Sequence, residues 1–274
     1  MGFRDRGIEL KTPEQVAKMR VAGLLVGETL ELLRGSVRAG TTTGELDAIA
    51  EDNIRSNGGI PSFKGYGVPP FPGSICASVN DEVVHGIPGD RVLVEGDLVS
   101  IDCGAIVDGW HGDAAITVAV GEVNADLVRL MEVTEGAMWA GFGAARLGGR
   151  VSDISHAVES HVRSHGDYGI LEDYTGHGIG TEMHQPPNVP NYGRPGRGAK
   201  LERGLALAVE PMVTLGTKRT LVAEDDWTIV TADGSWAAHF EHTFTLTPDG
   251  AWVLTALDGG EARLAEMDLP FGGR

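Results

Sequence analysis

Five side chains stand where their chemistry is out of place unless it is used. Asp102 interrupts the apolar run Val99-Ser-Ile-Asp-Cys, and Asp113 precedes Ala114-Ala-Ile-Thr-Val. Aspartate is depleted in strands and rarely fully buried without a partner. Glu210 ends Leu205-Ala-Leu-Ala-Val-Glu before Pro211, which biases it to extended backbone. Glu241 lies in Ala238-His-Phe-Glu-His-Thr-Phe, where His239, Glu241 and Thr243 share one face. His177 is framed by Gly176 and Gly178, which lets the backbone approach a ligand closely and leaves the imidazole clear of neighbours.

Any one of these acids alone reads as a salt bridge or a sheet-edge charge, and a lone histidine as a hydrogen-bonded structural residue. The combination points elsewhere. Four acids and one imidazole form an oxygen-rich set that suits two first-row divalent cations sharing carboxylates. Manganese, iron(II), cobalt and zinc all fit. The set is too rich in carboxylate for a structural zinc, which prefers Cys and His.

The elements must bring these groups together. Leu98 to Val107, then Trp110 to Val120, reads as a hairpin. If Val107-Asp108 is its turn, Asp102 faces Asp113 directly; if the turn is Asp108-Gly109, Asp102 faces Ala115 and Asp113 is its diagonal neighbour. Either register puts both carboxylates on one sheet face. Two like charges ~5 Å apart repel by roughly 3 kcal/mol at an effective dielectric of ~20. A divalent cation between them removes that cost.

Around the hairpin, Thr12-Pro13-Glu14-Gln15 starts a helix with a capping box, Val16, Met19, Gly23, Val26, Leu30 and Leu33 follow one face, and Gly35 ends it. Thr42-Thr-Gly-Glu45 repeats the box, with Asn57-Gly-Gly59 as the stop. Helices return at about 124–146, capped by Asn124, and at about 152–165, capped by Ser152; strands and loops fill about 175–256. The order helix pair, strands, helix pair, strands predicts an α+β fold, with helices on one side of a curved, mostly antiparallel sheet.

The 274 residues are 42% hydrophobic and 22% charged, an ordinary globular composition. The formal net charge of −17 argues against nucleic-acid binding or docking on an anionic membrane. No apolar run is long enough to span a bilayer, and Met1-Gly-Phe-Arg-Asp-Arg does not open a secretory signal. Cys76 and Cys103 read as free thiols in a reducing cytoplasm.

The segments Val79-Asn-Asp-Glu-Val-Val-His-Gly-Ile-Pro88, Asp97-Leu-Val-Ser-Ile-Asp-Cys-Gly-Ala, Asp108-Gly-Trp-His-Gly-Asp-Ala, Gly176-His-Gly-Ile-Gly, Ala223-Glu-Asp-Asp-Trp-Thr and Phe240-Glu-His-Thr carry a resemblance. In this order, from about Thr12 to Thr247, the chain resembles the type I methionine aminopeptidases. The resemblance implies the α/β pita-bread fold, a curved antiparallel sheet in two pseudo-symmetric halves with helices outside. It implies one catalytic domain over 1–274, with a short N-terminal tail at about 1–11, a core at about 12–256 and a C-terminal tail at about 257–274. The implied activity is removal of the initiator methionine from nascent polypeptides when the second residue is small.

Position by position, the resemblance assigns Asp102, Asp113 and Glu241 to a first metal and Asp113, His177, Glu210 and Glu241 to a second. His85 and His184 match substrate-contacting histidines, and Tyr66, Phe71, Cys76, Met183 and Trp227 match the methionine pocket. The implied mechanism is attack on the scissile carbonyl by a hydroxide shared between the two ions. Glu210 shuttles its proton, His184 contacts the carbonyl, and His85 bonds the scissile nitrogen or leaving group. Cys76, Met183 and Trp227 suit a thioether side chain. The loop from Phe63 to Gly73 is longer than is usual in the family, Met183 replaces an aromatic residue, and Thr181 and Gln185 replace Arg and Glu. No ligand is touched. A cytoplasmic monomer that meets nascent chains, with a transient visit to the ribosome, is the expected setting. Rival readings are a proline-specific aminopeptidase or dipeptidase of the same fold, and a non-catalytic pita-bread protein that binds a partner. The first usually carries a separate N-terminal domain, and the second is expected to lose ligands.

Overall fold

Capping chemistry sets the helices of the computed structural model, which describes residues 7–273. The sequence readings that rest on Met1 to Arg6 lie outside the described residues. Helix α1 (Pro13–Ser36) starts at the Thr12–Gln15 capping box and runs one residue past Gly35. Helix α2 (Thr43–Ser56) starts at the Thr42–Glu45 box and stops at Asn57. Helix α3 (Ala125–Ala144) is capped by the Asn124 side chain. Helix α4 (Val151–His165) differs from expectation: its cap is Arg150, and Ser152 lies inside the first turn. The Asp153 carboxylate accepts the Arg150 N–H at 2.7 Å, while the Ser152 hydroxyl accepts from the distant Arg197 N–H. The segment expected as a C-terminal tail carries a short helix, α5 (Glu261–Glu266), and Phe271 bridges back to Ala251.

The strands Leu98–Val107 and Trp110–Ala119 pair with Val107 opposite Trp110, so the turn is Asp108-Gly109. Both turn residues have positive φ (50° and 79°), the requirement of the tight turn that matches strand twist. Asp102 therefore faces Ala115, with Asp113 its diagonal neighbour on the same face. The hairpin belongs to a nine-stranded antiparallel sheet. From its edge run Ile60–Pro61, the two hairpin strands, Glu241–Thr247, Ala206–Val209, Gly176–Gly178 and Gln185–Val189. Ile75–Val79 pairs with the first hairpin strand, and Gly250–Val253 with Glu241–Thr247.

One face of the first hairpin strand, Val99, Ile101, Cys103 and Ala105, is fully buried against the core that α1 supplies through Leu25, Val26, Leu30 and Leu33. The opposite face presents Ser100, Asp102 and Gly104. Helix α1 sits close to the sheet because glycines meet there. A Cβ on Gly23 would lie 2.1 Å from the Leu254 carbonyl oxygen, and one on Gly112 would lie 2.8 Å from the Gly23 nitrogen. Among the described residues, no helix is long and apolar enough to cross a membrane.

Candidate active site

Cross-strand pairing lines up Cys76, Asp102, Ala115 and Glu241 in one row over four strands. Asp113 stands two residues before Ala115 on the same face. Glu210 directly follows Val209, which pairs with His242. His177 comes from the strand beyond, where Gly178 pairs with Leu207. Five strands, one of them through the residue just past its end, thus aim four acids and one imidazole at a common point.

His177 Nε2 lies 3.5 Å from Glu210 Oε1 and 4.0 Å from Asp113 Oδ2. Ligand-capable atoms of Asp113, His177 and Glu241 all fall within 4.8 Å of one another, and so do those of Glu210, His239 and Glu241. His177 Nδ1 is 3.0 Å from the Gly178 carbonyl, which can only accept. The ring proton therefore sits on Nδ1, and Nε2 turns a lone pair toward the carboxylates, the arrangement of a metal-ligating histidine. The flanking glycines serve a different purpose from the one their sequence suggests. A Cβ on Gly176 would meet the Ala208 carbonyl oxygen at 2.3 Å, and one on Gly178 the Pro186 carbonyl oxygen at 2.3 Å. Crowding by neighbouring backbone excludes side chains on both sides of His177.

Two threonines fix the row from either side. Asp113 N–H donates to Thr243 Oγ1 at 3.2 Å, and that hydroxyl donates to the Asp113 carbonyl at 2.8 Å. His239 N–H donates to Thr117 Oγ1 at 2.9 Å, and Thr117 returns a bond to the His239 carbonyl at 2.8 Å. Asn191 Nδ2 donates to the Glu210 carbonyl at 3.0 Å.

Burial sets the electrostatics. It pushes the Asp102 carboxyl up to about 7, despite the lowering effect of its contact with Asp113. Asp113, Glu210 and Glu241 rise well above the carboxylate range, first through burial and then through the charges of neighbouring acids. Burial lowers His177 and His239 to about 3, with His184 and His85 respectively adding to the effect. Among the described residues no lysine or arginine pairs with any of the four acids. Asp102 Oδ1, Asp113 Oδ1, Glu241 Oε1 and His239 Nε2 are buried without a hydrogen-bond partner among the described residues. Orphaned carboxylate oxygens at this density are costly unless a cation meets them, so the donor set fits divalent metal.

Every side chain singled out from the sequence lines one cavity of about 120 Å³. Its apolar wall is Phe63, Phe71, Cys76 and Met183, with Trp227 and Ile87 against it. Phe71 meets Trp227 edge to face at 5.2 Å. His85 has φ of 60°, uncommon for a side-chain-bearing residue and typical of strained functional positions. Its ring packs between Tyr174 and Trp227, and burial lowers it to about 4. Tyr66 and His184 stand at the mouth, joined by a 2.7 Å hydroxyl–imidazole contact. Sequence reasoning did not select His239, Asn191 or Phe63. His239 shared the face of Glu241 in the strand pattern, and that periodicity was the signal available for it.

Comparison with known proteins agrees with this geometry. The family model of metallopeptidase family M24 matches residues 17–248. The methionine aminopeptidase of Clostridium acetobutylicum is 51% identical over 249 residues, covering 90% of this chain and 98% of that protein. Methionine aminopeptidase 1 of Bacillus subtilis is 47% identical, covering 89% and 98%. The crystal structure of the methionine aminopeptidase of Rickettsia prowazekii matches with a TM-score of 0.88 at 41% identity, over 90% of this chain and 99% of that one. The prolidase of Pyrococcus furiosus shares the fold, with a TM-score of 0.73 at 23% identity, but this chain covers only 66% of it. The curved antiparallel sheet with outer helices is thus the pita-bread fold. A cluster of buried acids and histidines fit for divalent metal, on a scaffold shared almost end to end with these enzymes, accords with the family match: the chain belongs to metallopeptidase family M24, with the methionine aminopeptidases.

Proposed function

We propose that the chain hydrolyses the peptide bond after the N-terminal methionine of nascent polypeptides when the second residue is small. The observation that carries this is the meeting of two unlike surfaces in one cavity: orphaned carboxylate oxygens on the sheet, and a sulfur- and aromatic-lined wall beside them. Asp102, Asp113, His177, Glu210 and Glu241 would hold two divalent cations, with cobalt, manganese, iron(II) and zinc as candidates. Bound there, the cations supply Lewis acidity and a water acidified toward neutrality.

The chain's own groups do the rest. The acidic cavity draws in the substrate's terminal amine. Phe71, Cys76, Met183 and Trp227 pack the thioether, sulfur on polarizable and aromatic surface. The Glu210 carboxylate, aimed into the cavity beside the other acids, can shuttle a proton to the departing amine. His184 donates to the scissile carbonyl oxygen, and neutral His85 bonds the scissile nitrogen. A monomer in the cytoplasm, meeting chains as they leave the ribosome and binding neither nucleic acid nor membrane, is the setting consistent with the charge of −17.

The test compares Met-Ala-Ser with Ala-Pro-Ala across several divalent cations. Cleavage of the first alone supports the reading. Cleavage of the second alone transfers the chain to the proline-specific enzymes, whose likeness here is one of fold. No cleavage with any cation leaves a non-catalytic binding protein.

A further inference from the structure

The contact between Tyr66 and His184 joins segments 118 residues apart. Their rings meet edge to face, centroids 5.3 Å apart at 63°. His184 in turn meets His177 edge to face, at 4.4 Å and 74°. The loop that presents Tyr66 is closed on itself: Tyr66 N–H donates to the Phe63 carbonyl at 2.8 Å, and Phe71 N–H to the Tyr66 carbonyl at 2.7 Å. Tyr66 is 42% exposed and stands apart from the apolar wall. Among the described residues its hydroxyl has one hydrogen-bond partner, His184 Nδ1 at 2.7 Å.

A contact between a hydroxyl and a neutral imidazole can run either way. A phenol is a more acidic donor than an imidazole N–H, and the bare imidazole nitrogen is a stronger acceptor than a phenolic oxygen. The contact therefore settles with Tyr66 donating and Nδ1 accepting, which leaves the single ring proton of His184 on Nε2. We propose that Tyr66 is a positioning residue for the hydrolysis, its hydroxyl holding His184 in the tautomer whose Nε2–H can donate to the scissile carbonyl oxygen. The inference rests on the function proposed above. The other tautomer would turn a lone pair toward an oxygen that gains negative charge during the reaction, replacing a stabilising donor by a repulsive contact. His177, one ring away, is held in the opposite tautomer by the Gly178 carbonyl, so the two neighbours are sorted by the partners of their Nδ1 atoms.

The test is Tyr66→Phe in the zinc-loaded enzyme, with Met-Ala-Ser kinetics and long-range proton–nitrogen NMR of His184. The expected result is a fall in kcat of about tenfold or more with KM within about twofold. The His184 signal should change from Nε2-protonated alone to a mixture of tautomers, with the melting temperature unchanged. A single Nε2-protonated form in the variant, an unaltered kcat, or a rise in KM alone overturns the proposal. Should the unsubstituted enzyme fail on Met-Ala-Ser, the function falls and this role with it. An Nε2-protonated His184 read in that same sample would mark the failure as one of function rather than of the hydroxyl's influence on the ring.

Discussion

Thr243 holds Asp113 at both polar atoms of its main chain, accepting from the N–H at 3.2 Å and donating to the carbonyl at 2.8 Å. Thr243 is fully buried. Thr243→Val keeps the shape and removes both bonds. The expected cost is about 1–3 kcal/mol of stability from the stranded groups. Metal affinity should also fall, by about 10- to 100-fold, the usual effect of removing a ligand's support. Thermal melts and a cation titration check the two together; a variant equal to the parent in both would show that the clamp is idle.

Asp102→Asn should abolish turnover of Met-Ala-Ser while the circular dichroism spectrum stays native. It should also shrink the rise in melting temperature that saturating cation produces. The metal-free variant should melt no lower than the metal-free parent above neutral pH, because one buried charge has gone. Full activity in this variant would remove Asp102 from the machinery.

The pH dependence of stability should carry an unusual sign. A carboxyl raised in the folded state binds its proton more tightly than when unfolded, so its contribution is present at low pH and is lost as pH climbs through the folded value. Asp102 at about 7, and Asp113, Glu210 and Glu241 in the same direction, all behave so. Histidines lowered to about 4 (His85) or about 3 (His177 and His239) act oppositely, losing stability as pH falls below 6.5. Below 6.5 the two sets oppose each other. Between 6.5 and about 7.5 the histidines are neutral in both states and Lys11, lowered by burial to about 8, still keeps its proton, so the raised acids set the trend. The chelator-treated protein should therefore melt at progressively lower temperature from pH 6.5 to about 7.5, and saturating manganese should flatten the trend. A chelated midpoint that holds steady or rises would contradict it.

Gly23→Ala tests the seat of α1 on the sheet. The added methyl would meet the Leu254 carbonyl oxygen at 2.1 Å, a backbone atom that cannot rotate away. Overpacking of this kind costs about 1–3 kcal/mol. Gly35→Ala, on the same helix with open space around its Cβ, serves as the control. Equal melting temperatures for the two variants would refute the close approach.

Much of this architecture is legible in the residues alone, because local chemistry decides it. The Thr12 and Thr42 capping boxes set two helix starts within a few residues of themselves. Either turn that the sequence offers for the hairpin puts Asp102 and Asp113 on one face, and the out-of-place acids mark the cavity. What escapes depends on partners distant in sequence. Ser152 looks like a cap, yet its hydroxyl is taken by Arg197, and Asp153 closes the turn instead. The glycines around His177 answer to the Ala208 and Pro186 carbonyls, which strand pairing alone brings near. His239 and Asn191 gain their places from Thr117 and Glu210, contacts made only once the sheet is assembled.

The strand Glu241–Thr247 is inserted between Trp110–Ala119 and Ala206–Val209. It is the splice between the first half of the protein, which owns Asp102 and Asp113, and the second, which owns His177 and Glu210. A fragment ending before Glu241 lacks both that carboxylate and the strand whose pairing on either side joins the two groups of acids into one cluster.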